Sequence, residues 1–167
     1  MANNINMRRV QTRIQEMFQG KVDMTDFPND TNRHFETRAL AALALIMTSG
    51  LEVSQASAQI TDGYHDMGLD TIYLDETQKK LFVVQSKWRE NGAGSITQEE
   101  MTNFAQGVQR VLEEDLAGAN DKIIAKSMDI DVALTQMGYQ IHSIFIHTGN
   151  QKVTDYVLRP ISQLMKK

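Results

Sequence analysis

The sequence predicts an α/β domain in which a few strands are flanked by several helices. Three segments have strand-like patterns: residues 70–75 alternate in polarity, residues 81–88 begin with the run Leu-Phe-Val-Val, and residues 140–147 are rich in isoleucine. Apolar residues at helical spacing occupy much of the remaining chain. A length of 167 residues with 41% hydrophobic residues suffices for one domain with a sizeable core. We therefore expect a single domain over residues 1–167.

The first part of the chain predicts three helices. Apolar residues at helical spacing indicate an amphipathic helix over residues 6–19. After a turn-rich segment at 23–32, residues 33–48 are dense in alanine and leucine. Since this second helix is apolar around most of its circumference, we expect it to be central. Ser54 predicts the N-cap of a short helix at 55–59.

The second part predicts a hairpin, further helices and one more strand. Residues 76–80 are a polar turn between the first two strands. Thr97 and Glu100 form a capping-box pattern ahead of an apolar run at helical spacing. We expect another helix at 121–137, the third strand at 140–147 and a final helix at 152–165.

Composition excludes several kinds of site. The chain has no cysteine, so neither disulfides nor thiolate zinc sites can form. It has no His-Glu-x-x-His zinc pattern and no phosphate loop ending in Gly-Lys-Ser/Thr.

The longest apolar stretch, Ala39 to Met47, is far shorter than the roughly 20 residues that span a bilayer, and no signal-peptide pattern occurs. We therefore expect a cytoplasmic protein with no membrane partner.

The net charge limits what the surface can bind. A charge of −4 and a pI of about 5.5 disfavour a strong electrostatic grip on nucleic acid over the whole surface. A nuclease needs positive charge only along its groove, so the charge balance does not exclude that function.

The hairpin places polar side chains at the end of a buried strand. If Asp75 pairs with Lys80, each residue i faces residue 155 − i, and Asp70 lies directly opposite Gln85. Asp70 and the amide oxygen of Gln85 could then bind a hard divalent cation. Lys87, about 6–7 Å further along the strand, could orient water or stabilise charge on a phosphate. The alternative is a solvated strand end, which the apolar run beside it disfavours.

The loop ahead of the first strand contains further polar residues. Asp62-Gly63 is a turn signal that turn chemistry explains by itself. Asp66 could still reach a second metal. His65 could approach a substrate, although a solvated loop histidine is the simpler interpretation.

Several motifs follow one another in a family-specific order: Phe35-Glu36 on a helix, Gly50, Asp66-Met67-Gly68-Leu69-Asp70, a hairpin, and Gln85-Ser86-Lys87. Together they resemble the PD-(D/E)XK nuclease superfamily, and more narrowly the Mrr-like restriction endonuclease core. The stretch from Ile60 to Trp88 is similar to the N-terminal region of abortive-infection phage-resistance (AIPR) proteins. The resemblance is good over about residues 33–89.

This resemblance implies a restriction-endonuclease-like core over about residues 33–148, with a small central mixed β-sheet flanked by helices. In AIPR proteins the corresponding region is usually the N-terminal part of a longer chain. The resemblance therefore leaves two alternatives, a complete domain or a part of a longer protein.

The resemblance also implies a function: a metal-dependent nuclease that hydrolyses phosphodiester bonds in DNA, in restriction or phage defence, with RNA left open. Asp70 matches the metal-binding aspartate of the motif, Gln85 its second position and Lys87 its catalytic lysine. Glu36 matches a helix glutamate that completes the metal site in related enzymes. The cofactor would be Mg²⁺ or Mn²⁺. A homodimer is expected by analogy, because many nucleases dimerise to cut both strands.

Two features leave a second function open. Gln85 replaces a carboxylate, which removes one formal charge from the site and weakens Mg²⁺ binding unless Glu36 compensates. Glu36 lies near a helix start, where the macrodipole favours a carboxylate whatever the function. The alternative is a catalytically inactive nuclease-fold module for nucleic-acid binding or protein assembly.

Basic residues predict nucleic-acid contacts at two places. Arg9 and Arg13 lie on one stripe of the first helix, and Arg89 follows the buried strand. Phosphate contact is the functional interpretation of the helix stripe, and a solvated helix face is the structural one.

Overall fold

A three-stranded sheet in the order β1-β2-β3 lies at the centre of the fold. β1 (Thr71–Asp75) and β2 (Lys80–Lys87) pair antiparallel, and β3 (Gln140–His147) pairs parallel to β2. The computed structural model describes residues 2–30 and 32–166, so Thr31 of the predicted turn-rich segment lies outside the described residues. The predicted α/β class, with a small mixed sheet flanked by helices, is confirmed.

The register of the β1–β2 hairpin is the one that the sequence predicts. Asp75 pairs with Lys80 and Thr71 with Val84, so the paired numbers sum to 155. Just before β1, the backbone N–H of Asp70 donates to the carbonyl of Val84 at 2.8 Å, which is one residue out of this register. The hairpin therefore places Asp70 beside the last residues of β2.

Helices cover both faces of the sheet. Those within the described residues are α1 (Ala2–Phe18), α2 (Arg33–Ser49), α3 (Val53–Ser57), α4 (Gln98–Leu112), α5 (Asp121–Ile124), α6 (Ser127–Thr135) and α7 (Asp155–Leu164). None of them combines the length and the apolar character that crossing a bilayer requires.

Strand alternation divides the core into two clusters. Leu81 and Val83 of β2 pack into a cluster with the apolar residues of α4 and α6. Phe82 and Val84, on the opposite face, pack with the apolar residues of α1 and α2. Because β2 is covered on both sides, its run Leu-Phe-Val-Val is continuous rather than alternating.

The short helix α3 begins earlier than predicted. Its N-cap is Glu52 rather than Ser54, because the side-chain oxygen of Gln55 accepts a hydrogen bond from the Glu52 backbone N–H at 3.0 Å. Glutamate is an unusual N-cap residue, whereas serine is a common one, which is why the sequence pattern favours Ser54.

The single helix predicted at 121–137 is wrong: a turn at residues 125–126 separates α5 from α6. The Lys126 ammonium at this turn donates to the side chain of Gln59, just beyond α3, and lies 3.9 Å from Asp129. No glycine or proline marks the turn in the sequence. The contact with Gln59 joins residues far apart in the chain, which local patterning does not reveal.

Helix α4 begins at the predicted capping box. The Thr97 backbone N–H donates to the Glu100 carboxylate at 2.9 Å, and the Glu100 backbone N–H donates to the Thr97 hydroxyl at 3.2 Å. One turn from its C-terminal end, Gly107 packs against the loop that precedes β1. A Cβ atom there would lie 2.3 Å from the Met67 carbonyl oxygen.

We expect the substitution Gly107→Ala to lower the free energy of unfolding by about 1–3 kcal/mol, as overpacking does. Alanine favours a helix over glycine by about 1 kcal/mol, but the added methyl group forces the backbone at Met67 to move. Urea unfolding measures the effect. The control is Gln106→Ala on the exposed side of α4, expected to change stability by less than about 0.5 kcal/mol. Equal or greater stability of Gly107→Ala would contradict the close packing of α4 on this loop.

Candidate functional site

Three aspartates converge where the loop of residues 61–70 meets the end of β2. One carboxylate oxygen from each of Asp62, Asp66 and Asp70 lies within 4.8 Å of the other two. The loop closes on itself because the backbone N–H groups of Thr61 and Asp62 both donate to the Asp70 carbonyl, at 2.8 and 3.2 Å. We call these three residues the aspartate cluster.

Asp70 is the most buried member of the aspartate cluster, with 2% of its surface exposed. Its Oδ2 atom accepts three hydrogen bonds: from the Ser86 backbone N–H at 2.7 Å, from the Ser86 hydroxyl at 2.6 Å and from Gln85 Nε2 at 3.0 Å. The hairpin register supplies all three donors. Asp70 is therefore held in one orientation at the end of the hairpin.

Gln85 lies against Asp70, as predicted, but with its amide nitrogen. Nε2 donates both to Asp70 and to the Ser86 carbonyl, the latter at 3.1 Å. In this arrangement Gln85 orients the carboxylate. Its predicted role as an oxygen ligand to a metal requires the amide group to turn over.

Lys87 is the last residue of β2 and lies on the same face of the strand as Gln85. Burial raises the pKa of the Asp66 carboxyl, while the nearby charge of Lys87 pulls that pKa down. Strand alternation thus places Lys87 on the face of β2 from which Gln85 contacts Asp70.

Glu36 lies outside the aspartate cluster. Its side chain is 5% exposed and accepts a hydrogen bond from the amide of Gln11 on α1. Burial raises the pKa of Glu36, and the charges of Glu90 and Asp30 raise it further. Among the described residues, the group of carboxylates close enough to share a cation does not include Glu36.

Arg38 of α2 is wholly buried and uses all five of its N–H donors. Nε donates to Asp62 Oδ2 at 2.7 Å, and Nη2 donates to the Asp62 carbonyl at 2.9 Å. Nη1 and Nη2 hold the Asp26 carboxylate in a bidentate pair at 2.7 Å each, and Nη1 also reaches the Asp23 carbonyl. Arg38 therefore fixes the backbone and the carboxylate of Asp62 relative to α2.

The charges around Arg38 stabilise its ionised form. Burial lowers the pKa of Arg38, but the hydrogen bonds to Asp26 and Asp62 outweigh burial, and the net pKa lies above its ordinary value. Lys122 of α5 adds a second cation, 3.1 Å from Asp26 Oδ2 and 3.1 Å from the Asp62 carbonyl. Two positive charges thus balance part of the negative charge next to the aspartate cluster.

Comparisons with protein-family models, with curated proteins and with solved structures returned no match for this chain.

The three arginines predicted to contact nucleic acid differ in their surroundings. Arg9 and Arg13 line a shallow pocket on the exposed side of α1, where Arg13 lies 3.7 Å from Glu16. Arg89 is half-buried: its guanidinium donates to Glu100 Oε2 at 2.6 Å and to the Ser95 carbonyl at 3.1 Å. Arg89 therefore stabilises the loop after β2, whereas the α1 pair faces solvent.

Two residues of this site are not predicted from the sequence as functional: Asp62, which is predicted only as part of a turn, and Arg38. A signal for Asp62 was present, because three aspartates recur at intervals of four residues between 62 and 70. Arg38 has no comparable signal: it lies in an alanine- and leucine-rich helix, where an isolated arginine is expected at the surface.

The pKa of Asp70 is raised to about 8. Burial is the largest cause and the charge of Asp62 adds to it, while the hydrogen bonds from Ser86 oppose it. A carboxyl group that is buried beside two others is costly to ionise. A bound cation would remove this cost, so the charge balance of the aspartate cluster fits a metal.

Without metal, the free energy of unfolding of the wild type, taken relative to Asp70→Asn, is expected to fall between about pH 4 and pH 8. Over this interval the unfolded chain loses the proton of Asp70 while the folded chain retains it. Stability therefore decreases with rising pH, because the folded state binds more protons. Urea unfolding in the presence of a chelator, at several pH values, measures the difference. Parallel curves for the two proteins would contradict the raised pKa.

Proposed function

We propose that this chain is a divalent-metal-dependent nuclease with a restriction-endonuclease-like core, acting on DNA in restriction or phage defence. The observation that supports it most is the hairpin register. It brings Asp70 into contact with Gln85, and strand alternation places Lys87, two residues further on, on the same face of the sheet as Gln85. These are the positions that the resemblance to PD-(D/E)XK nucleases assigns to the metal ligand, its neighbour and the catalytic lysine.

The donors present fit Mg²⁺ or Mn²⁺, which prefer oxygen ligands. The ion would be bound by all three carboxylates of the aspartate cluster, Asp62, Asp66 and Asp70. These loop carboxylates would supply the negative charge that Gln85 lacks. The sequence predicts Glu36 in this compensating role. When bound, the ion would polarise a phosphate and lower the pKa of water.

The protein's own groups divide the remaining tasks. Ser86 and Gln85 fix the orientation of Asp70 through three hydrogen bonds. Arg38 fixes Asp62 from the opposite side. The ammonium group of Lys87 would orient the attacking water or stabilise the negative charge that develops on the phosphate oxygens.

A second function, a catalytically inactive module for nucleic-acid binding or assembly, is favoured by one observation. Gln85 offers a donor rather than an oxygen to the site, and Arg38 already neutralises Asp62. In such a module, the same network would serve only to hold the loop in place.

Two measurements on the wild type and on Asp70→Asn separate these functions: Mn²⁺ binding by calorimetry, and cleavage of plasmid, single-stranded DNA and RNA of the same sequence. For the nuclease, we expect cleavage of DNA with Mg²⁺ or Mn²⁺, and at least about tenfold weaker Mn²⁺ binding by Asp70→Asn, as for changes around other metal sites. Metal binding by the wild type without cleavage would favour the module. Absence of both, or undiminished cleavage by Asp70→Asn, would refute the metal-dependent mechanism. Cleavage of RNA alone would change the assigned substrate.

A further inference from the structure

Tyr64 is an exposed aromatic residue in the loop that carries the aspartate cluster. It lies midway between Asp62 and Asp66 in the chain, and 76% of its surface is accessible to solvent. Two residues of backbone span at most about 7 Å, so the Cα atom of Tyr64 lies within that distance of the Cα atoms of both aspartates. A large aromatic ring is therefore held at the surface beside the converging carboxylates.

The backbone around Tyr64 is fixed by contacts with Asn120, the N-cap of α5. The Asn120 backbone N–H donates to the carbonyl of His65 at 3.0 Å, and the Asn120 side-chain amide donates to the carbonyl of Thr61 at 2.9 Å. His65 adopts a left-handed backbone conformation with a φ of 59°, which is uncommon for a residue other than glycine. Asn120 thus ties together both ends of residues 61–65, and the position of Tyr64 is set before any ligand binds.

The ring of Tyr64 belongs to the same network as Asp62. It lies 5.6 Å from the ring of Phe27 at an angle of 41°. Phe27 stacks on His34 at 3.7 Å, and the guanidinium carbon of Arg38 lies 5.0 Å from the centre of the Phe27 ring. Arg38 in turn donates to Asp62 at 2.7 Å. Since Phe27 is already stacked, Tyr64 offers the open aromatic face next to the site.

The least buried side of the aspartate cluster is the side on which Tyr64 lies. Asp62 and Asp70 are buried, whereas Asp66 is partly exposed. The backbone N–H of Gly63, the residue before Tyr64, donates to Asp66 Oδ2 at 3.4 Å. A strand whose phosphate approaches the cluster at Asp66 therefore passes beside Tyr64.

We propose that Tyr64 stacks on a base of the substrate strand, in the nucleotide next to the phosphate bound at the aspartate cluster. This inference rests on the proposed nuclease function and narrows its substrate to single-stranded or locally unpaired nucleic acid. A base within a duplex already stacks on its neighbours and must leave them before it can stack on Tyr64. Every base has an aromatic face, so the contact favours unpaired strands without selecting a sequence.

The first test compares two phosphates that differ only in the base, deoxyadenosine 5′-monophosphate and deoxyribose 5-phosphate. Neither contains a phosphodiester bond, so neither is a substrate. Mg²⁺ is included because the aspartate cluster repels a phosphate unless a cation is bound. In an NMR titration, the wild type is expected to bind the nucleotide about tenfold more tightly, equivalent to about 1.4 kcal/mol. One base stacked on an aromatic side chain contributes an amount in this range.

Variants of Tyr64 decide whether its ring makes the difference. Tyr64→Phe should retain the tenfold preference, whereas Tyr64→Leu should bind both phosphates about equally. Both variants are expected to fold as the wild type, because the side chain is exposed. The matched control is Tyr156→Leu, which replaces an exposed tyrosine on α7 and should leave the preference unchanged. No preference for the nucleotide in the wild type, or an undiminished preference in Tyr64→Leu, would overturn the proposal.

The second test measures Mn²⁺-dependent cleavage of a single-stranded dodecamer and of its duplex. We expect the wild type to prefer the single strand, and Tyr64→Leu to raise KM for it by about tenfold with kcat nearly unchanged. Tyr64→Phe and Tyr156→Leu should behave as the wild type. If the wild type prefers the duplex, or if Tyr64→Leu leaves KM unchanged, the substrate assignment is overturned. If the wild type cleaves neither substrate, the nuclease function fails, and the nucleotide titration still decides whether Tyr64 binds a base.

Discussion

The substitution Arg38→Met is expected to lower the free energy of unfolding by about 3–5 kcal/mol, the typical cost of removing one partner from a buried ion pair. Methionine fills much of the space but removes the guanidinium that contacts both Asp26 and Asp62, so that Asp26 keeps only Lys122 and Asp62 loses its ion pair. Asp62 then lies beside Asp66 and Asp70 with no opposing charge from α2. Urea unfolding of the wild type and of the variant at neutral pH measures the loss.

The control is Arg33→Met, because Arg33 lies on the same helix and is exposed. Its effect should stay within about 0.5 kcal/mol. If Arg38→Met does not fold, Arg38→Lys and Asp26→Asn provide smaller perturbations. Lysine retains the charge of Arg38 but cannot hold Asp26 and Asp62 simultaneously with five donors. A loss below about 0.5 kcal/mol for all three variants would contradict the role of Arg38 as the anchor of Asp62.

The substitution Lys87→Ala is expected to reduce kcat for Mn²⁺-dependent DNA cleavage by about 10²–10³-fold, the usual cost of removing one group that stabilises developing charge. KM and Mn²⁺ affinity should change far less, because Lys87 lies near the aspartate cluster but is not one of its oxygen donors. Single-turnover cleavage with saturating enzyme separates the chemical step from binding.

Lys80→Ala is the matched control, since Lys80 begins the same strand and its ammonium contacts only the side chain of Gln78 among the described residues. It should cleave at the wild-type rate. An equal loss in both variants would indicate a general effect of charge on DNA binding. Full activity of Lys87→Ala would remove the lysine from the mechanism.

The two predictions differ in what they require of the site. The Arg38→Met variant tests whether buried ion pairs hold the aspartate cluster in place, and the result does not depend on any enzymatic activity. The Lys87→Ala variant tests whether the site catalyses phosphodiester hydrolysis. A stable protein with an intact Arg38 network and no cleavage would support the module for binding or assembly.

Several features of the site follow from local sequence. The register of the β1–β2 hairpin, which brings Asp70 into contact with Gln85, follows from a polar turn of known length and from strand alternation, and both are properties of neighbouring residues. The capping box at Thr97 and the three strands are predictable for the same reason. The turn between α5 and α6 was not predicted, because no glycine or proline marks it; the Lys126 side chain at this turn contacts Gln59, 67 residues away in the chain.

The α/β class, the hairpin and the contact between Asp70 and Gln85 are therefore predictable from local sequence patterns. Which carboxylates join these two residues depends on long-range packing. Asp62 and Asp66 reach Asp70 because the loop folds back on itself, and Glu36 instead bonds to Gln11, 25 residues away in the chain. Arg38 likewise meets Asp62 across 24 residues. Such contacts depend on how the helices pack on the sheet. The free energy of that packing comes from contacts throughout the core, so no short segment of sequence predicts it.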